Sequence, residues 1–188
     1  KIEKFIGYLS EIYNSASLHI TCKPNCSTHP QSFSVDPVFR EVRDCDKQIR
    51  KEFGCLNDEA IILISMGGIP IEKFDSLITP KINGYKFIIP INKITSIHHT
   101  DHFIYLPQNH GFYHPDLVNL SDLIVGKVGY STISEVYALQ KPFLYLGRKN
   151  FPESPILENF IQQNMTAMTT SHEEFFTKGW FSKIDLLL

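Results

Sequence analysis

The stretch Asp122-Leu-Ile-Val-Gly-Lys-Val-Gly-Tyr-Ser-Thr-Ile-Ser-Glu135 joins a short apolar run to a glycine-containing turn and then to a helical pattern. Residues 123–125 are all apolar, as expected of a strand that is covered on both faces of a sheet. Residues 126–129 provide the turn, and a helix is predicted over 131–139. A strand that passes through such a turn into a helix is the repeating unit of a parallel α/β sheet.

The same alternation extends over most of the chain. Residues 60–66 form a continuous apolar run that ends in Gly67-Gly68. Further strands are predicted at 85–89, 103–106, 143–146 and 166–169, and further helices at 155–163 and after Ser171, where Ser171 and Glu174 fit a capping box. These elements predict an α/β fold with a doubly wound, Rossmann-like parallel sheet.

The composition supports one domain of this kind. The chain has 188 residues, 43% of them hydrophobic and 20% charged, which suits one α/β domain or one domain with a fragment of a second. The formal net charge of -2 does not favour a nucleic-acid or an anionic membrane partner. No run of about 18 apolar residues is present, and the first residues do not resemble a signal peptide. We expect a cytoplasmic protein with no transmembrane segment and no nucleic-acid partner.

The part before residue 60 follows a different pattern. Residues 1–20 indicate a short helix and then a short apolar run, whereas 22–36 have the Pro, Ser and Thr content of a linker. Asp36 and Pro37 provide the N-cap and first residue of a further predicted helix, which runs to Gly54.

Two groups of side chains could bind a metal ion. They are the four cysteines, Cys22, Cys26, Cys45 and Cys55, and the cluster His98, His99, Asp101 and His102. The C-x3-C and C-x9-C spacings differ from the paired C-x2-C of a zinc ribbon, and no helix places two of the histidines on one face. A zinc site formed by all four cysteines is the alternative, but we predict reduced thiols, a solvated histidine loop, no metal and no cofactor.

The turn at 126–129 is a candidate anion site. The backbone N–H groups at a helix N-terminus and the positive end of the helix dipole attract phosphate, and Gly129 would let the phosphate approach without a Cβ in the way. The turn is neither a G-x-G-x-x-G fingerprint nor a Walker A loop. Thr132 and Glu135 also fit the capping box T-x-x-E, which would satisfy the helix end without any ligand. The spacing leaves both interpretations open.

Residues 121–142, which contain this turn, resemble the donor-binding motif of GT-B glycosyltransferases, a class that includes the UDP-glycosyltransferases and the peptidoglycan N-acetylglucosaminyltransferase. Tyr105-Leu-Pro-Gln108 and His114-Pro-Asp-Leu117 fit the same pattern. With Phe151-Pro-Glu-Ser-Pro-Ile-Leu157, the chain is most similar to the glycosyltransferase-like region of L-arabinokinases and related bacterial proteins. The resemblance extends from about Val38 to the C-terminus.

The resemblance implies roles for individual residues. The implied nucleotide-binding residues are Gly67, Gly68, Gln108, Gly111, Phe112, Lys127, Gly129, Tyr130, Ser131, Thr132 and Glu135. Backbone N–H groups and hydroxyls of 130–132 would hold the diphosphate, Glu135 the ribose, and residues 108–112 would lie against the base. Glu153-Ser154 stands where the family often has a (D/H)-Q pair that binds the donor sugar. Gln140 replaces the usual glycine after the helix, which predicts a left-handed residue there at a cost of ~1 kcal/mol.

The resemblance also implies a function and a division of the chain. Residues 1–21 would be the tail of a preceding N-terminal domain, 22–36 a linker, and 37–188 a nucleotide-sugar-binding, Rossmann-like domain. The expected ligand is a nucleotide-diphosphate sugar, a UDP-sugar in the first place, for inverting, metal-independent glycosyl transfer. The acceptor and the catalytic base would come from a missing N-terminal domain or a partner subunit. The alternatives are a non-catalytic or regulatory nucleotide-sugar-binding module, and a hydrolase or epimerase in which Glu153 or His114 acts.

Overall fold

The computed structural model describes residues 2–27, 30–43, 46–55, 58–66, 84–92, 94–177 and 179–188. Gly67, Gly68 and Cys45, which the sequence singled out, lie outside these ranges. The chain divides into two compact units, Lys1–Val38 and Phe39–Leu188.

The first unit contains a helix and two short strands. Helix α1 (Ile2–Asn14) confirms the predicted N-terminal helix, and its large apolar side chains are exposed. Strands β1 (His19–Cys22) and β2 (Ser32–Val35) pair in parallel. Strand β2 lies within 22–36, where the composition predicts a linker. Its backbone is paired with β1, and the Lys23 N–H donates to the Val35 carbonyl over 2.9 Å. Composition alone does not predict such bonds.

The second unit is built on a seven-stranded sheet in the order β5-β6-β4-β3-β7-β8-β9. Its strands are β3 (Ala60–Ser65), β4 (Tyr85–Ile91), β5 (His98–His99), β6 (Phe103–Pro107), β7 (Leu123–Lys127), β8 (Phe143–Leu146) and β9 (Ala167–Thr170). All neighbouring pairs are parallel except β5 and β6. The predicted doubly wound, Rossmann-like parallel sheet is therefore confirmed.

Helices cover both faces of this sheet. They are α2 (Asp46–Glu52), α3 (His114–Leu120), α4 (Tyr130–Ala138), α5 (Ser154–Asn164), α6 (His172–Thr177) and α7 (Ile184–Leu187), with a 3-10 helix at Gly179–Lys183. Because side chains alternate along a strand, Ile61 and Leu63 pack in one core cluster with α3, α4 and α5. Ile62 and Ile64 pack in the other cluster with α6, the 3-10 helix and α7. This two-sided burial explains why the strand at 60–65 is a continuous apolar run.

The start of α6 confirms the predicted capping box. The Glu174 N–H donates to the Ser171 hydroxyl over 3.0 Å, and the Ser171 N–H donates to a Glu174 carboxylate oxygen over 2.9 Å. Two N–H groups that the helix itself leaves unpaired are thereby satisfied.

The helix predicted from Pro37 to Gly54 is correct only in its second half. Helix α2 covers Asp46–Glu52, and Gly54, with φ 62°, has the left-handed conformation expected of a residue that follows a helix. Residues 36–43 are not helical, and Asp36 is not an N-cap. The N–H of Arg43 donates to Asp116 on α3 over 2.8 Å, which replaces the i−4 bond of a helix by a contact far away in the sequence.

The histidine cluster differs from the predicted loop in one respect. His98 and His99 are exposed, as expected, but they form the short antiparallel edge strand β5. Among the described residues, no group of three His, Cys, Asp or Glu side chains could hold a metal ion. The described helices include none with the length and apolar character needed to cross a membrane.

The strand order fixes where a ligand can bind. From β3 the chain adds β4 and β6 on one side and then returns to add β7, β8 and β9 on the other. The winding therefore reverses between β3 and β7, and in open α/β sheets ligands bind beyond the carboxyl ends of the strands at this point. We call this place, formed by the carboxyl ends of β3 and β7, the switch edge.

Replacing Gln140 by glycine should stabilise the protein. Gln140 has φ 52°, which confirms the predicted left-handed residue after α4. Glycine adopts this conformation without a Cβ clash, so Gln140→Gly should raise the free energy of unfolding by ~1 kcal/mol in urea titrations. The matched control is Gln163→Gly in α5, which should lower it by about as much because glycine is a poor helix former. An equal effect of both substitutions would contradict this assignment.

Candidate functional site

A close approach of two backbones shapes the switch edge. Ser65, the last residue of β3, is paired in register with Gly126 of β7. A Cβ atom at Gly126 would lie 2.3 Å from the Ser65 carbonyl oxygen, so only glycine fits there. Since both strands are parallel neighbours, their carboxyl ends lie at the same edge of the sheet.

Helix α4 begins directly after this approach. Gly129 is its N-cap, in an extended conformation, and has no side chain to satisfy the N–H groups of the first turn. A Cβ at Gly129 would meet no heavy atom of the described residues within 4 Å, so a side chain at this position would have room. The structure thus has the local arrangement of an anion-binding helix N-terminus.

Glu135 does not cap this helix. Because α4 starts at Tyr130, Thr132 lies inside it and Glu135 is more than a turn from the N-cap. The capping-box interpretation of Thr132 and Glu135 is therefore wrong. The Glu135 side chain is only 2% exposed, and its carboxylate is bound by residues from other parts of the chain.

Two donors bind the two oxygens of this carboxylate separately. Arg40 donates to Oε1 from Nε over 3.1 Å and from Nη2 over 2.7 Å. The Nδ1 atom of His114, the first residue of α3, lies 2.7 Å from Oε2. A charge that is buried in this way requires such partners, because desolvation without them costs several kcal/mol.

His114 is itself held in place from the other side. Its Nε2 atom lies 2.9 Å from the Ser65 hydroxyl at the end of β3. With Nδ1 donating to Glu135, a neutral ring accepts from the Ser65 hydroxyl at Nε2, whereas a protonated ring donates to the Ser65 oxygen. The hydrogen bonds therefore run in series from Ser65 through His114 to Glu135, and they connect β3, α3 and α4 at the switch edge.

Arg43 forms a second ion pair of the same design. Its Nε and Nη2 atoms contact Asp116 Oδ2 over 2.8 Å and 2.7 Å, and the Asp116 side chain is fully buried. The guanidinium groups of Arg40 and Arg43 lie 5.3 Å and 4.4 Å from the centre of the Tyr113 ring. The segment 39–43 thus supplies two arginines to two buried carboxylates across one aromatic ring.

Electrostatics favour the ionised form of Glu135. Burial raises the pKa of its carboxyl, but the hydrogen bonds and positive charges of His114 and Arg40 together outweigh burial and hold the pKa below its usual value. At the end of β7, burial and the nearby charge of Arg148 lower the pKa of Lys127. The positive charge of Lys127 and Arg148 near this edge of the sheet favours the binding of an anion there.

The remaining predicted nucleotide-binding residues have mixed surroundings. Gln108 and Gly111 are exposed in the loop after β6, and Gly111 has φ 77°. Phe112 packs edge-on against the buried Phe53, with 4.9 Å between ring centres. In the first turn of α4, Ser131 is exposed and Tyr130 packs against the core.

A cavity of about 800 Å³ lies beyond the carboxyl ends of β8 and β9. Ser154 lines it, but the Ser154 hydroxyl is engaged, since it donates to Glu158 over 2.7 Å and accepts from the Arg148 N–H over 2.9 Å. Glu153 is exposed at the start of α5. Arg148, whose guanidinium carbon lies 3.8 Å from the centre of the Phe151 ring, also lines the cavity.

The sequence predicted no role for the side chains of Arg40 and Ser65. His114 lies in the segment 114–117 that fits the family pattern, but a role was predicted for it only in a hydrolase or an epimerase. Arg40 lies 95 residues from its partner Glu135, and Ser65 lies 49 residues from His114. Neither pair has a local spacing that a motif could reveal. The available signal was the place of Ser65 at the end of a predicted buried strand, because ligands bind beyond the carboxyl ends of the strands in open α/β sheets.

The doubly wound sheet and the polar groups at its switch edge define a Rossmann-like α/β protein with a candidate ligand site. No known family model matches the chain. Over 128 residues the chain is 29% identical to L-arabinokinase from Arabidopsis thaliana, a match that covers 68% of this chain and 12% of that relative. The chain thus spans a small part of the length of a protein whose name refers to a sugar.

Alanine substitutions at Gly126 and Gly129 should show that the first position is closely packed and that the second has room for a side chain. Gly126→Ala should lower the free energy of unfolding by at least ~1–3 kcal/mol, because the new Cβ collides with the Ser65 carbonyl. Gly129→Ala should cost less than ~1 kcal/mol, since the position is extended and unobstructed. Urea unfolding of both variants measures this difference, and equal losses would contradict the close β3–β7 approach.

Proposed function

We propose that this chain is a nucleotide-diphosphate-sugar-binding domain of the glycosyltransferase type, with a UDP-sugar as the ligand. The observation that carries the proposal is Glu135, a buried carboxylate that does not cap its own helix and is held beside the switch edge by residues from three other segments. A carboxylate in this position is suited to accept hydrogen bonds from the hydroxyls of a ribose, in charge-assisted contacts worth ~1.5–3 kcal/mol.

The start of α4 supplies the complementary phosphate site. The N-cap Gly129 has no side chain that caps the helix, so a diphosphate could bind to the backbone N–H groups of the first turn. Lys127 and Arg148 add positive charge on the side of β7 and β8, and a bound anion would relieve their mutual repulsion. The phosphates would thus lie between the helix end and these cations, with the ribose toward Glu135.

The transfer reaction itself would need more than this chain. The similarity to L-arabinokinase covers only 12% of that protein, so the acceptor and the catalytic base remain part of the proposal. We propose that an N-terminal acceptor-binding domain or a partner subunit supplies both, for inverting transfer without a metal. A non-catalytic nucleotide-sugar-binding module would use the same site. An assay of the complete protein for sugar-transfer products distinguishes a transferase from a non-catalytic module.

The Glu135→Gln variant tests the proposal directly. Glutamine keeps the size of the side chain but loses its charge, so the affinity for UDP should fall about 10-fold or more in calorimetric titrations. Because Glu135 forms ion pairs with Arg40 and His114, the variant should also be less stable than wild type. A ribose-binding glutamate without such partners would show no loss of stability on the same substitution.

Asp116→Asn is the matched control for that loss of stability. Asp116 is a buried carboxylate on α3 that pairs with Arg43, an arginine of the same segment as Arg40. Both variants should melt at lower temperature, and only Glu135→Gln should bind UDP more weakly. Equal UDP affinities of wild type and Glu135→Gln would rule out the ribose role.

A second candidate function is hydrolysis with Ser65 as the nucleophile. It is favoured by the order of hydroxyl, imidazole and carboxylate in Ser65, His114 and Glu135, which is the order in a Ser-His-acid triad. Against it, Ser65 is only 5% exposed and Arg40 occupies the carboxylate. Under the proposed binding function, a fluorophosphonate probe should label wild type no more than Ser65→Ala, as measured by intact-protein mass spectrometry. Stoichiometric labelling that Ser65→Ala abolishes would establish the hydrolase instead.

A further inference from the structure

The carboxylate of Glu135 has too few free acceptor positions for a ribose. A carboxylate offers about four lone-pair positions, two on each oxygen. The two N–H groups of Arg40 fill both positions on Oε1, and His114 fills one on Oε2. One position therefore remains beside the donors of the described residues, whereas the 2′ and 3′ hydroxyls of a ribose need two. One of the present donors must therefore leave before both hydroxyls can bind.

The two donors differ in how firmly they are held. His114 is the first residue of α3 and is braced at Nε2 by Ser65, so its ring is fixed on both sides. Arg40 belongs to a segment without helix or strand, and its side chain is 54% exposed. A guanidinium that is already half in water regains its hydration at little cost when it moves away. Arg40 is therefore the donor that leaves.

We propose that Arg40 competes with the ribose for Glu135 and is displaced when a nucleotide binds. This inference rests on the proposed function. Arg40 is then an affinity- and specificity-determining residue, because a ribonucleotide must break the Arg40–Glu135 pair and a 2′-deoxyribonucleotide need not. A single remaining hydroxyl can use the free position on Oε2 while Arg40 stays in place.

Arg43 provides a matched control. It comes from the same segment, stacks on the same Tyr113 ring and pairs with the buried Asp116 at similar distances. Its partner carboxylate lies outside the series that joins Ser65, His114 and Glu135. Arg43→Ala should therefore reproduce the loss of an arginine and an ion pair without changing the ribose position.

The experiment compares UDP with 2′-deoxy-UDP in calorimetric titrations of wild type, Arg40→Ala and Arg43→Ala. The two ligands carry the same diphosphate, so any contact of Arg40 with phosphate affects both equally. We expect Arg40→Ala to bind UDP about threefold to tenfold more tightly than wild type and to bind 2′-deoxy-UDP with unchanged affinity. The preference for ribose over deoxyribose should thus rise by the same factor, and Arg43→Ala should leave it unchanged. Arg40→Gln, which has no charge but keeps a polar side chain of similar length, should change in the same direction as Arg40→Ala.

Three other outcomes have distinct meanings. An unchanged ribose preference in folded Arg40→Ala and Arg40→Gln overturns the inference and leaves the proposed function intact. Equal weakening of both ligands also overturns it, since Arg40 would then bind phosphate. Absence of UDP binding to wild type and to all variants overturns the proposed function for UDP, and the inference fails with it.

Discussion

The close parallel pairing of β3 with β7 is the constraint on which the rest of the second unit depends. The two strands are the first of each half of the sheet, and their backbones approach so closely at Ser65 and Gly126 that a single Cβ cannot be accommodated. The approach aligns the ends of both strands, and therefore the start of α4 and the hydroxyl of Ser65. The proposed ribose and phosphate positions both follow from this alignment. The phosphate position uses the start of α4 after β7, and the ribose position uses Glu135, whose partner His114 contacts Ser65 at the end of β3.

Much of the sheet could be predicted because its strands are buried on both faces. Such strands consist of apolar residues in succession, and the runs at 60–66, 123–125 and 143–146 correspond to β3, β7 and β8. Edge strands lack this property. Strand β5 consists of two exposed histidines, and β2 alternates polar and apolar residues in a stretch of linker composition, so neither had a signal in the sequence.

The segment before α2 shows why a helical pattern can fail. Val38 and Val42 have helical spacing, and Asp36 followed by Pro37 is a typical helix start. Arg43 instead gives both its N–H and its guanidinium to Asp116, which lies 73 residues away. Local propensity is worth a few tenths of a kcal/mol per residue, whereas leaving a fully buried carboxylate without partners costs several. The long-range ion pair therefore decides the conformation of this segment, and no pattern in the local sequence predicts that pair.

The two ion pairs also explain why the second unit begins where it does. Compact units commonly start at the first residue of a strand or helix. This unit instead starts at Phe39, and its first five residues, 39–43, form neither a helix nor a strand. Those residues supply the positive charges that neutralise one carboxylate on α3 and one on α4. Residues 39–43 thus contribute ion pairs, not secondary structure, to the second unit. A shortened protein that starts at α2 would keep every strand of the seven-stranded sheet but would leave Asp116 and Glu135 in the interior without the two arginines.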